Sequence, residues 1–176
     1  MAQDFAPLLR TIWGDPDWRE LSADAQWAYL LLLSHPDRNA AGLVPMRLRK
    51  LARLAADVDP QRLRGALKEL DAASFVVMDE DTEEVCVRAF IRRGGVYRHI
   101  RMLRGALREV SEVESARIRS ALGQELARLP RLAIPLTNAR MAEEARAVQE
   151  QVDVLASMLC DAPPEGMAHP MVDGMS

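Results

Sequence analysis

Cysteine, aromatic residues and long apolar runs are all scarce in this chain. Its 2 cysteines, Cys86 and Cys160, stand far apart and isolated. They fit no disulfide framework and no metal-ligand spacing, and they suit a reducing compartment. The longest apolar run, Trp27 to Leu33, falls well short of the roughly 20 residues of a membrane span, so no membrane partner is expected. The opening MAQDFAPLLR lacks the basic start and apolar stretch of a secretory signal, and a cytoplasmic location follows. Also missing are a Walker loop, a glycine-rich dinucleotide fingerprint, H-E-x-x-H and G-x-S-x-G. His35, His99 and His169 have no partners at catalytic spacing. The expectation is a protein that is not an enzyme and holds neither cofactor nor metal.

What is present is a substantial core. Apolar residues make up 49% of 176 residues, which rules out a disordered chain and fits one domain with an added arm. The net charge of −3 argues against nucleic acid, but its distribution does not. Residues 47–108 hold 14 Lys/Arg against 9 Asp/Glu, whereas 1–46 hold 3 against 6 and 109–176 hold 6 against 11. A local basic patch matters more to a phosphate backbone than the whole-chain sum.

Phe5 to Trp13 alternates weakly, as a short strand or extended arm would, and Asp15-Pro16-Asp17 reads as a turn. Ser22 is an N-cap for a helix over 23–33 that is apolar nearly all round and therefore buried. Gly42 to Pro45 is a very short strand, and 47–56 is a second helix with Leu48, Leu51, Leu54 and Ala55 at helical spacing. Asp59 caps a third helix with Pro60 at its first position, and Leu63, Ala66, Leu67 and Leu70 form a single-face stripe. Phe75 to Met78 and Glu84 to Ile91 are two strands joined by an acidic turn, with Val85, Val87 and Ala89 on one face. Gly94-Gly95 then marks a boundary, giving a first domain over 1–93, a helical extension over 96–160 and a disordered tail over 161–176. The extension opens with a helix over 96–110 carrying Arg98, Arg101, Arg104 and Arg108. Ser111 and Glu114 suggest a capping box for a helix running to about Leu129.

The fold class is thus mainly α with a small β-hairpin. Its order of helix, short strand, helix, tight turn, helix and hairpin is that of a winged helix-turn-helix, followed by a C-terminal helical extension. Such a third helix presents its outer face to the DNA major groove. With the leucine stripe inward, Gln61, Gly65 and Lys68 point outward and Arg62 and Arg64 flank them. Gln pairs with adenine and Arg with guanine, while Gly65 permits close approach. Arg47, Arg49, Lys50 and Arg53 on the second helix suit phosphates. Asp79, Glu80, Asp81, Glu83 and Glu84 at the wing tip repel phosphates, so Arg92, Arg93, Arg98 and Arg101 are the better candidates beyond the hairpin.

The last helix, over 137–160, carries Met141, Ala145, Val148, Val152, Leu155 and Leu159 as an a/d seam. The seam packs either on the chain's own helices or on a second copy as a homodimer.

Residues 13–91 resemble the winged-helix domain of replication-initiation and helix-turn-helix proteins of phages and prophages of high-GC Gram-positive bacteria. The resemblance is carried by Ile12-Trp13-Gly14-Asp15-Pro16-Asp17-Trp18, Leu21 to Gln26, Tyr29 to Leu32, Gly42 to Pro45, Ala66 to Leu70, Phe75 to Val77 and Val85 to Ile91. It implies binding of double-stranded DNA in replication initiation or transcriptional control, in the cytoplasm of a bacterial host. A host or phage replication protein is an implied partner. The alternative is a winged-helix protein-interaction module that recruits or inhibits a host replication or transcription factor.

Overall fold

A computed structural model describes residue 6, residues 8–133 and residues 138–160. Thr137 and the tail assigned to 161–176 lie outside the described residues, as does most of the arm before Leu8. A 3-10 turn, Arg10–Gly14, replaces the expected strand or arm, and a short helix α1, Pro16–Glu20, follows. Asp15 caps α1 by accepting from Asp17 N, with Pro16 at the first position. The expected turn therefore starts a helix. α1 carries Trp18 into the core, where its ring meets Trp13, Tyr29 and Phe75 edge-on at centroid distances of 5.3–6.1 Å.

Helix α2, Ala23–Ser34, starts where Ser22 Oγ accepts from Ala25 N. Glu69 completes this cap from across the fold, accepting from both Ser22 N and Ser22 Oγ at 2.6 Å. Strand β1 is Leu43–Pro45. Gly42 precedes it at φ 93°, where an added Cβ would lie 2.7 Å from Phe90 Cβ, so neither the backbone nor the space admits a side chain. Helix α3 is Leu48–Ala52, shorter than the expected 47–56. Beyond Ala52 the chain tightens into turns, with Leu54 N bonded to Leu51 O and Ala55 N to Ala52 O. Leu54 consequently faces solvent, 58% exposed, rather than joining the stripe.

Helix α4, Pro60–Ala72, follows the expectation closely. Asp59 caps it, and Leu63, Ala66, Leu67 and Leu70 are buried. It packs on α2 and α3. It ends with Ser74 at φ 63° and Phe75 N bonded to Leu70 O, a left-handed C-terminal cap.

Strands β2, Val76–Asp79, and β3, Glu84–Val87, form a hairpin. With β1 they make an antiparallel sheet in the order β1-β3-β2, Val44 facing Val85 and Met78 facing Val85 from the other side. β3 is shorter than the expected 84–91 because the chain turns into a short helix α5, Phe90–Arg93. Nor does burial alternate: Val76, Val77 and Met78 are buried in succession, as are Val85, Cys86 and Val87. Strands covered on both faces behave this way, and both α4 and α7 pack on β2.

Helices α6, Ile100–Ser111, α7, Ala116–Ala127, and α8, Ala139–Cys160, complete the fold. Ser115, not Ser111, caps α7, because Ser111 Oγ donates back to Leu107 O within α6. One buried apolar cluster runs from Trp18 past Gly94-Gly95 to Ala156. The extension therefore shares its core with the first 93 residues.

The a/d seam of α8 is filled within the chain. Ala145, Val148 and Val152 are buried, with Ala142 and Ala156 beside them, and α8 lies on α7 and α6. Leu159 Cβ stands 2.7 Å from where a Cβ on Gly123 would be, and Leu155 is half-buried. Only Met141, 46% exposed, remains open. Of the two arrangements the seam allows, the one described is packing on the chain's own helices. The exposed apolar residues of α8 are instead Met141, Val154 and Met158. Among the described residues no helix is long and apolar enough to cross a membrane.

Two outcomes follow. Gly123→Ala drives a methyl against Leu159 Cβ and the backbone beside it, a cost of about 2–3 kcal/mol that, less the roughly 1 kcal/mol Ala contributes in a helix, should lower stability by about 1–2 kcal/mol. An unchanged urea midpoint would refute the close α7–α8 crossing. His35 is buried and its Nδ1 accepts from Asp37 N at 3.1 Å. Burial pushes its pKa below the ordinary 6.5, so the folded protein resists a proton that the unfolded chain takes up. Stability should therefore fall as pH drops through 6.5 toward the lower folded value. Urea midpoints at pH 7.5 and about 5.5 should show a drop that His35→Asn largely removes.

Candidate nucleic-acid interface

The outer face of α4 is where the sequence places base reading. Gln61 and Gly65 are exposed there, and a Cβ on Gly65 would meet nothing within 4 Å. Arg62 is not available beside them. Its Nε and Nη2 each donate to Asp24 at 2.7 Å, and its Nη1 donates to Asp57 O at 2.8 Å. The guanidinium holds the Asp24 carboxyl below its usual range and ties α2, the turn before α4 and α4 together. Arg62 is thus a fastening between elements rather than a reading residue.

Arg64 and Lys68 reach the acidic turn of the hairpin. Glu80 Oε2 lies 3.7 Å from Arg64 Nε and Glu80 Oε1 lies 3.2 Å from Lys68 Nζ. Ion pairs this exposed contribute about 0–1 kcal/mol, so they neutralise charge without locking it. Arg64 Nε makes no hydrogen bond. The turn folds onto α4 because the hairpin stem is anchored behind it. Ser115 Oγ donates to Asp79 at 2.6 Å, Ser115 N donates to Glu84 at 2.8 Å, and Arg117 donates to Met78 O and Asp71, both at 2.7 Å. The Ser115 hydroxyl holds the Asp79 carboxyl below its ordinary pKa.

On α3 and its ends, Arg47, Arg49 and Arg53 are exposed, while Lys50 pairs with Asp37 at 3.1 Å. Arg47 also borders a cleft of about 400 Å³ rich in carboxylates, among them Asp37, Glu83, Glu84, Glu109 and Glu112. Its surroundings are therefore less basic than the run Arg47 to Arg53 suggests.

Beyond the hairpin the arginines divide. Arg92 donates to Glu125 at 2.9 and 3.1 Å, Arg128 at 3.1 Å, and Arg88 Nε stands 3.7 Å away. Glu125 is only 3% exposed. Arg92 is thus held inside a cage of three guanidiniums about one carboxylate, not presented for phosphate. Sequence reasoning missed Glu125, although it lies in the inward row with Ile118 and Leu122, where a charge demands a buried partner. Arg93 is exposed and lines a cleft of about 370 Å³ with Arg88, Arg92 and Arg128. Arg98 stacks near the Tyr97 ring, 5.6 Å from its centroid, and Arg101 is exposed on the first turn of α6.

The structure therefore gathers Gln61, Arg64, Gly65 and Lys68 on one helix face beside Glu80. It turns Arg62 and Arg92 to internal work. Among the described residues no cluster of His, Cys, Asp or Glu is placed to hold a metal. Compared with known protein families, curated proteins and solved structures, the chain matches none.

Removing the Glu125 carboxylate leaves three guanidiniums facing one another in a partly buried site. Loss of one partner from a buried pair typically costs about 3–5 kcal/mol. Because the three arginine side chains stay 24–57% exposed, Glu125→Ala is expected to cost less than that, about 2 kcal/mol in urea unfolding. A variant as stable as the parent would show that the cage does not hold α7 to α5.

Proposed function

We propose that the chain binds double-stranded DNA with sequence preference, as a winged helix-turn-helix protein whose reading helix is α4. The observation that carries this reading is the element order α2-β1-α3-α4-β2-β3 with the sheet order β1-β3-β2, which leaves the Gln61–Gly65–Lys68 face of α4 exposed beside α3. Gln61, Gly65 and Lys68 stand exposed there, and a major groove admits a helix presented in this way. Gln61 would read adenine, and Arg64 and Lys68 guanine or phosphate. Arg47, Arg49, Lys50 and Arg53 would take phosphates from α3, and Arg93, Arg98 and Arg101 from the segment after the hairpin. The resemblance of residues 13–91 supports a role in phage or prophage replication initiation or transcriptional control, within the bacterial cytoplasm.

A second reading has its own support. The acidic hairpin turn and the carboxylate-lined cleft beside Arg47 suit a protein-interaction module that recruits or inhibits a basic surface of a host replication or transcription factor.

A labelled duplex pool titrated across salt tests the first reading. Binding should weaken steeply with salt, and Arg64→Ala with Lys68→Ala should weaken it at least tenfold and flatten the log–log slope by about one per lost phosphate contact. Arg62→Ala should lower stability yet leave affinity within about twofold, given its internal role in the structure. Absence of binding at low salt would defeat DNA as the partner and favour the second reading.

A further inference from the structure

We propose that Glu80 is a built-in anionic competitor for DNA, seated on the cations of the reading face and lowering affinity for unspecific duplex. The inference rests on the DNA reading above. It is drawn from one juxtaposition: the acidic turn of the hairpin puts a single carboxylate between Arg64 Nε, at 3.7 Å, and Lys68 Nζ, at 3.2 Å. Arg64 Nε itself is buried, so a phosphate oxygen or a guanine acceptor would approach the exposed remainder of that guanidinium and the Lys68 ammonium.

The pairing neutralises Arg64 without satisfying it. At 3.7 Å the contact is electrostatic, outside hydrogen-bond range, and Arg64 Nε has no other acceptor. An incoming group that accepts a true hydrogen bond from Arg64 gains something Glu80 does not provide. A loosely placed phosphate gains nothing of the kind and meets a like charge.

The hairpin cannot easily swing away to relieve that repulsion. Its stem is bonded to α7 through Asp79, Glu84 and Met78, and the turn is tightened by Asp79 accepting from Asp81 N at 3.0 Å. What can move is the Glu80 side chain, which is 39% exposed. A displaced Glu80 carboxylate stays near the DNA, so the penalty persists for every sequence. Only sites that engage Arg64 and Lys68 with good geometry offset it.

The experiment compares wild type, Glu80→Gln, Asp81→Asn and Arg64→Ala/Lys68→Ala, with and without Glu80→Gln. Each is checked for fold by urea unfolding and titrated with unspecific duplex over a salt series. Asp81 lies in the same turn but pairs with no cation, so Asp81→Asn measures the general effect of one charge. Glu80→Gln should tighten unspecific binding roughly fivefold, as loss of one like charge near 4 Å implies. It should also steepen the salt slope by up to about one, because Lys68 would then release a counterion that Glu80 now replaces. The gain should exceed that of Asp81→Asn and vanish in the Arg64→Ala/Lys68→Ala background. Equal gains from Glu80→Gln and Asp81→Asn would overturn the local competition. So would a wild type that binds and is weakened by Arg64→Ala/Lys68→Ala but is unaffected by Glu80→Gln, and the DNA reading would then stand alone. Failure of every folded variant to bind duplex would overturn both.

Discussion

Val76, Val77 and Met78 follow one another into the core, and a strand can do this only if both faces of its sheet are covered. α4 lies against β2, and so does α7. The rest of the molecule depends on that double cover. Because α7 closes the hairpin, the extension cannot be cut from the first 93 residues without exposing strand faces that have no polar side. Because α4 packs on the same strand, the turn at the end of the hairpin is carried back over α4, and Glu80 arrives between Arg64 and Lys68. The placement of a surface charge thus follows from the burial of apolar residues several positions away.

Much of the first half is legible in the sequence because its signals are local. Ser22 and Asp59 announce their helices through cap chemistry, and the stripe Leu63, Ala66, Leu67 and Leu70 is buried as its spacing requires. The misreadings arise where distant elements intervene. Strand alternation fails in the hairpin because helices distant in sequence cover it, α4 and α7 on β2 and α2 on β3. Ser111 and Ser115 offer similar caps, and the choice falls to Ser115 because it alone also reaches Asp79 and Glu84. The heptad seam of α8 is real as a pattern, but a pattern names a buried face without naming what covers it. Gly123, by letting Leu159 approach, shows that α7 does.

Charge is read least well. A sequence counts cations but not their counter-ions, and a long side chain reaches partners far along the chain. Arg62 finds Asp24, 38 residues earlier, and Arg92 finds Glu125, 33 residues later. Both looked like free cations, and both hold elements together. The same accounting reconciles a net charge of −3 with the proposed affinity for DNA. Several carboxylates gather in the cleft beside Arg47, among them Glu83, Glu109 and Glu112. Exposed Arg49, Arg53, Arg93 and Arg101 are left to shape the local field.

These constraints decide how a partner can be met. A hairpin attached only through its ends can bend toward a partner and order itself there. Here the stem is fixed to α7 by side-chain and backbone bonds and to β1 through the register Val44 to Val85. Reorienting the hairpin would break buried contacts on both faces, whereas exchanging Glu80 for another acceptor breaks only exposed ion pairs. The cheaper change is the one that occurs first, so recognition on the α4 face is expected to proceed by exchange of side-chain partners over a nearly unchanged backbone. On the proposed reading, affinity depends on how well an incoming group replaces Glu80 at Arg64 and Lys68, and the rigidity of the hairpin makes that replacement a test of geometry rather than of charge alone.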